Sequence, residues 1–431
     1  MPHKKLLIIN VAALGSNLAG KIPGFSFQKA ASEIPAVTCT SQASFRTAST
    51  PQAHGMVSNG LFFPGLRKVL FWEQSSALVH GPRIWEKFRA QGGRVGMMFW
   101  QQSLGEAVDF VLSPAPIHKH GGGMIQDCYC EPRDLYARLI AAVGRPFNLM
   151  NYWGPLASRK SSDWIVDATL AVLADRETSP DLLLTYIPHL DYDLQRYGPD
   201  SPQAAKALEV LAGYLERLRK QAEMQGYEWL IFGDYAIEAA TRGAIFPNRA
   251  LRAAGLFSTR DIKGMSYADF FTSRAFAVTD HQIAHVYAPD AESRAKAKQI
   301  LQALDGVAAV LDRAEQQSLG VGHPSGGDLL LMAAQGAWFA YPWWNEKREA
   351  PDFASHVDIH NKPGYDPCEL FFGWPPMSVS SDVDRIRGTH GRGGDGNAIA
   401  WASSLFFGQG PATFLELATA TRTWLDTGPL H

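Results

Sequence analysis

Four cysteines in 431 residues (Cys39, Cys128, Cys130 and Cys368) are too few for a disulfide framework, and none has a zinc-finger spacing. That scarcity fits a reducing compartment, and the chain reads as cytoplasmic. No apolar run approaches the ~20 residues needed to cross a bilayer. Charge of one sign is not in excess either: forty basic residues stand against forty-two acidic ones, a formal net charge of −2. Such a balance gives no broad positive field, so a nucleic-acid polymer is not an expected partner. Low-complexity tracts and internal repeats are absent as well, and hydrophobic residues make up 46% of the chain, which excludes a disordered or fibrous protein.

Lys4-Lys5 before LLIINVAAL imitates a secretory leader. The run is short, contains Asn10 and lacks a clean small-x-small cleavage site, so a buried first strand is expected. Two further apolar runs, DLLLTYIP (Asp181 to Pro188) and EWLIFGD (Glu228 to Asp234), have the length and turn-bounded character of buried parallel strands. Between them Leu208, Leu211, Leu215 and Leu218 recur at helical spacing. The alternation implies an α/β protein with a mostly parallel sheet covered on both faces. From about Ala275 the texture changes to strand, helix, strand, strand, which marks a small inserted α+β subdomain. Three segments result: a core over 1–274, an insert over 275–350, and a loop-rich return over 351–431.

Ligands of open α/β sheets sit beyond the carboxyl ends of the strands. Asn10 ends the first run, Thr38 follows Pro35-Ala36-Val37, Asp191 lies just past the second run and Asp234 closes the third. Taken singly, each is an ordinary turn or cap residue. Thr38 also precedes a helical pattern, where backbone amides and the macrodipole favour an anion.

Thirteen residues beyond Thr38 stands PQAHGMVSNG (Pro51 to Gly60). The combination of PAVT, a helix and PxxHGxxxN resembles the type I phosphodiesterase/nucleotide pyrophosphatase family of the alkaline phosphatase superfamily. The resemblance implies an alkaline-phosphatase-like three-layer sandwich and a small-molecule phosphoester substrate. It makes Thr38 the nucleophile and Asn59 a phosphate ligand. It further implies divalent metal, zinc or else manganese or magnesium, held by Asp191, Asp234 and His390, the last within Gly388-Thr389-His390-Gly391. Three positions depart from the family pattern: Asn10, Gln195 and Tyr235 stand where it has one aspartate and two histidines. Amide and phenol groups are poor zinc donors, so the count of cations, and turnover itself, are left open. The rival reading is a non-catalytic or catalytically diverged phosphate-binding protein on the same fold.

Two nearby pairs are candidate substitutes. Asp358 and His360 point the same way in an extended segment and could share a cation, and His281 and His285 could do so on a helix. Loop hydrogen bonding and an ordinary core histidine are the alternatives. Other features rank lower. Ala337 to Trp344 is an aromatic wall or simply core, Asn151 to Pro155 could line the pocket, and Arg46 could face solvent or phosphate. Cys128 and Cys130 read as inert, and Gly121 to Gly123 as a loop.

Overall fold

In the computed structural model, residues 4–175, 178–408 and 410–427 are described. The chain-order elements that build and flank the site begin with β1 (Leu6–Val11), β2 (Gln28–Ser32), α1 (Thr38–Thr47), β3 (Val95–Met98), β4 (Phe110–Pro114) and β5 (Cys128–Glu131). Next come α2 (Arg159–Ala174), β6 (Leu182–Ile187), α3 (His189–Tyr197), α4 (Pro202–Met224) and β7 (Glu228–Gly233). The rest are β8 (Phe276–Asp280), β9 (Ile283–Tyr287), α5 (Ala291–Gln302), β10 (Val307–Leu311), β11 (Leu329–Ala333), β12 (Gly394–Ser403) and α6 (Phe414–Thr427).

The central sheet has eight strands in the order β2-β12-β7-β1-β6-β3-β4-β5. The five inner strands from β7 to β4 pair in parallel. Antiparallel partners close both margins, β12 against β7 and β5 against β4. All six residues of β1 and all six of β6 are buried, which is why these segments read as unbroken apolar runs rather than alternating ones. Each fully buried aliphatic side chain there contributes about 1.5–3 kcal/mol. The leader-like run is thus a middle strand of the sheet. No helix among the described residues is long and apolar enough to cross a membrane.

Two groups of helices cover the sheet, α2 with α4 and α1 with α6. Phe45 of α1 stacks on Phe232 of β7 at 4.3 Å, and Phe232 meets Phe414 of α6 edge-on at 5.5 Å. The leucines at 208, 211, 215 and 218 form the buried stripe of α4, which starts where Ser201 caps it and Pro202 opens it.

The insert is a second, four-stranded antiparallel sheet, β8-β9-β11-β10. Its core is not confined to residues 275–350, because Phe62, Val69 and Phe71 and also Leu251 and Phe257 pack into the same hydrophobic cluster. Trp338, Phe339, Tyr341, Trp343 and Trp344 are all buried, so the aromatic wall is core.

Candidate functional site

The parallel strands end at one edge, and α1 begins there. Thr38 is the first residue of α1, with Val37 as its extended N-cap, and both are buried. Its side chain is in hydrogen-bonding contact with the phenols of Tyr186, at the end of β6, and Tyr235, just past β7. Asn59 lies beside it: its Oδ1 accepts from the Cys39 amide at 3.0 Å, and its Nδ2 donates to Asp280 at 3.1 Å. One Asn59 N–H is left to face the cavity.

Asp191 sits in the first turn of α3 and not in a loop. Gln195, one turn later, donates to its Oδ2 at 2.7 Å, and the Tyr235 hydroxyl donates to its Oδ1 at 2.9 Å. Burial raises the Asp191 carboxyl above its ordinary range, and the Gln195, His281 and Tyr235 contacts oppose that rise. The Tyr235 ring lies flat on His390, 3.6 Å between centroids and 4° between planes. His390 bonds the Ala36 carbonyl through Nδ1 at 2.8 Å, and its Nε2 is 4.0 Å from Asp191 Oδ1. Burial lowers the affinity of His390 for a proton, and His281 adds to the effect.

Thr38, Asn59, Asp191, Gln195, Tyr235 and His390 therefore line one cavity. Asn10 and Asp234 lie fully buried below its floor. Asn10 accepts from Gln42 at 2.8 Å and donates to the Phe232 carbonyl at 3.4 Å. Asp234 takes the Ala13 amide on Oδ1 at 3.1 Å and leaves Oδ2 without a partner. Burial pushes its carboxyl well above the usual range.

These donors do not suit a pair of resident cations. Among the described residues, no group of three or more His, Cys, Asp or Glu side chains is arranged to hold a metal ion. Both oxygens of Asp191 are taken by neutral groups, and a phenol ring covers one face of His390. One orphaned oxygen on Asp234 does not make a cage.

The substitute pairs do not form. His281 is at a hairpin turn and His285 within β9, not on a helix, so their side chains do not converge. His285 is satisfied in the core, through Val57 O at 3.0 Å and the Gly327 amide at 3.1 Å. Asp358 lines the cavity, but its oxygens accept the amides of His360 and Asn361 and the Asn361 side chain, which shapes the loop. His360 is exposed beside His118. Arg46 faces neither solvent nor the cavity: it is buried, paired with Glu106 at 3.2 Å and bonded to the carbonyls of Gln101 and Gln102.

Several cavity residues carried no signal in the sequence. Tyr186, Tyr365, Trp72 and Trp153 all line the cavity, the two tryptophans meeting edge-on at 5.0 Å. The Asn151 to Pro155 segment does reach the cavity through Tyr152, Trp153 and Gly154. Lys362 is buried there between Asp366 at 2.8 Å and Glu369 at 2.6 Å, so its charge is fully answered.

A family model described as type I phosphodiesterase / nucleotide pyrophosphatase matches residues 19–366. No curated protein matches the sequence. Among solved structures, phosphonoacetate hydrolase from Sinorhizobium meliloti 1021, in complex with phosphonoformate, superposes with a TM-score of 0.63 at 17% identity, covering 98% of this chain and 96% of that one. Murine ectonucleotide pyrophosphatase / phosphodiesterase 5 superposes with a TM-score of 0.61 at 14% identity, covering 99% and 96%. The human counterpart gives 0.60 at 14%, with the same coverage. At these identities the likeness establishes the fold.

Proposed function

The chain belongs to the type I phosphodiesterase/nucleotide pyrophosphatase family, and from that premise we propose that it hydrolyses a small-molecule phosphoester with Thr38 as nucleophile. The observation that carries this reading is the placement of the Thr38 hydroxyl at the buried start of α1, in one cavity with Asn59. A phosphoryl group there meets the amide end of the helix and the free N–H of Asn59. Thr38 Oγ attacks phosphorus, one ester alcohol leaves, and water then hydrolyses the threonyl phosphoester, releasing phosphate when the substrate is a monoester and a phosphomonoester when it is a diester.

In the family's chemistry, divalent cations neutralise the phosphoryl charge and activate the hydroxyl. Here the donor set does not fit two cations, because both oxygens of Asp191 already accept hydrogen bonds from neutral groups. Tyr235 and Gln195 fix Asp191 instead, and Tyr235 joins Thr38 to that carboxylate. Four free cysteines support the cytoplasmic reading, three of them buried.

Thr38→Ala is the direct test. Turnover of bis(p-nitrophenyl) phosphate should fall to background while the melting temperature holds; undiminished turnover would reject the nucleophile. A second reading, a phosphoester-binding protein without turnover, is favoured by the capping of Asp191. It predicts binding of the same ester by calorimetry with no product formed by the wild-type protein.

A further inference from the structure

The short helix Pro247–Ala253 carries two arginines one turn apart, and only one of them is answered. Arg252 pairs with Glu349 at 3.2 Å. Among the described residues, the Arg249 side chain has no ion pair and no hydrogen bond, and its Nε is buried without an acceptor. Its guanidinium lies on the Phe246 ring, 3.7 Å from the centroid. The stack occupies the flat face of the guanidinium and leaves its N–H edge free. Burial lowers the hold of Arg249 on its proton, and no carboxylate opposes that effect. Arg46 and Arg196 show the usual arrangement: the first has Glu106 and two carbonyls, the second the carbonyls of Leu370, Ala157 and Pro155. A partly desolvated cation with unused donors costs stability, so its retention calls for an acceptor from outside the chain.

Arg249 lines a cavity of about 790 Å³ that shares only Tyr365 and Asp366 with the Thr38 cavity. Such a volume suits a small organic molecule. Phe246, Trp338, Tyr341, Trp344 and Trp374 contribute aromatic wall, and Trp374 is 78% exposed, a large ring that a flat apolar ligand would cover. Three carboxylates also line the cavity, and each already holds a donor. Asp352 accepts the Tyr267 hydroxyl at 2.9 Å, Asp366 accepts Lys362 at 2.8 Å, and Asp382 accepts the Asp384 amide at 3.1 Å. Lys347 adds a second cation to the lining. What the walls leave unanswered is therefore positive charge beside aromatic surface.

We infer that this cavity is a second binding site, separate from the Thr38 cavity, for a small aromatic carboxylate. The two oxygens of the ligand take the N–H edge of Arg249, a planar fork that matches a carboxylate bidentately, and its ring lies against the tryptophans. A neutral ligand of the same shape leaves the guanidinium unpaired, and a cationic one is repelled by it. The site does not depend on the chemistry assigned to Thr38.

The test is calorimetric titration of indoleacetate, indoleacetamide and tryptamine, which present one ring system with negative, neutral and positive charge. Wild type, Arg249→Gln and Arg249→Lys are compared at one ionic strength, with melting curves for each. Wild type should bind indoleacetate saturably in the millimolar range or tighter, and the amide and the amine at least about tenfold more weakly. Arg249→Gln should weaken indoleacetate about tenfold or more and leave the amide within about twofold, while Arg249→Lys, which keeps the charge and loses the fork, falls between. Should Arg249→Gln lose its fold, Arg249→Lys and the charge series on wild type decide the matter. Undiminished binding of indoleacetate by Arg249→Gln would place the ligand elsewhere, the Thr38 cavity included, and overturns the inference. Tighter binding of tryptamine than of indoleacetate would give the site to the carboxylates, and absence of saturable indoleacetate binding would leave Arg249 without a ligand of this class; either result overturns it as well.

Discussion

Among single residues, the pocket replaces expected charges with hydrogen bonds. Tyr235 is the main agent: its hydroxyl bonds Asp191 and its ring covers His390. Tyr235→Phe keeps the stack but strips a buried carboxylate oxygen of its donor, so stability should fall by about 1–3 kcal/mol in urea titrations. His285 gives a prediction in pH. Burial lowers its pKa to about 4, against an ordinary value of 6.5, so the folded chain holds it neutral. Its contribution is complete above pH 6.5 and lost as pH falls towards 4. The stability cost of His285→Gln should therefore be largest near pH 7 and shrink by about 3 kcal/mol at pH 4, since each tenfold difference in proton affinity between the folded and unfolded chain is worth about 1.4 kcal/mol. A cost independent of pH would mean that the imidazole is not held neutral.

Among the elements, α1 and the β8–β9 turn do the positioning. The N-terminus of α1 presents Thr38, and its C-terminal half is anchored by Arg46, which ties it to the carbonyls of Gln101 and Gln102 and to Glu106. Burial lowers the Arg46 pKa to about 10, with Glu106 opposing, so the guanidinium stays charged at neutral pH. Arg46→Ala should destabilise the protein by about 3–5 kcal/mol, because Glu106 loses its most buried partner and two carbonyls lose their donor. Equilibrium unfolding measures this, and a loss below about 1 kcal/mol would show that α1 is held by its Phe45 contacts alone. Helix α1 was legible from its position after PAVT. The hairpin was legible as two strands, but the hold of its Asp280 on Asn59 was not, since TDHQIAHVY reads equally well as core.

Across the protein as a whole, two sheets with separate hydrophobic clusters meet around one cavity, and the lining comes from segments between residues 38 and 390. A resident cation would bind the folded state and raise its melting temperature. With this donor set, neither a chelator nor added zinc, manganese or magnesium should shift thermal unfolding by more than about 1 °C, since binding at a hundredfold excess over Kd would add about 2.7 kcal/mol. A clear stabilisation by one of these cations would restore a metal role to Asp191, Asp234 and His390.

The order of amino acids was enough to specify the architecture, because burial of a strand on both faces demands an unbroken apolar run, and β1, β6 and β7 carry one each. It also singled out Thr38, Asn59, Asp191 and His390, which the fold brings to one cavity, and Asp234, which is fully buried and not part of its lining. Which side chains answer one another was settled only by folding in three dimensions: Tyr235 and Gln195 satisfy Asp191, Asp280 serves Asn59 and His281 together, and His285 turns into the core. Such pairings depend on distances of a few ångströms between segments up to hundreds of residues apart, which no local pattern encodes.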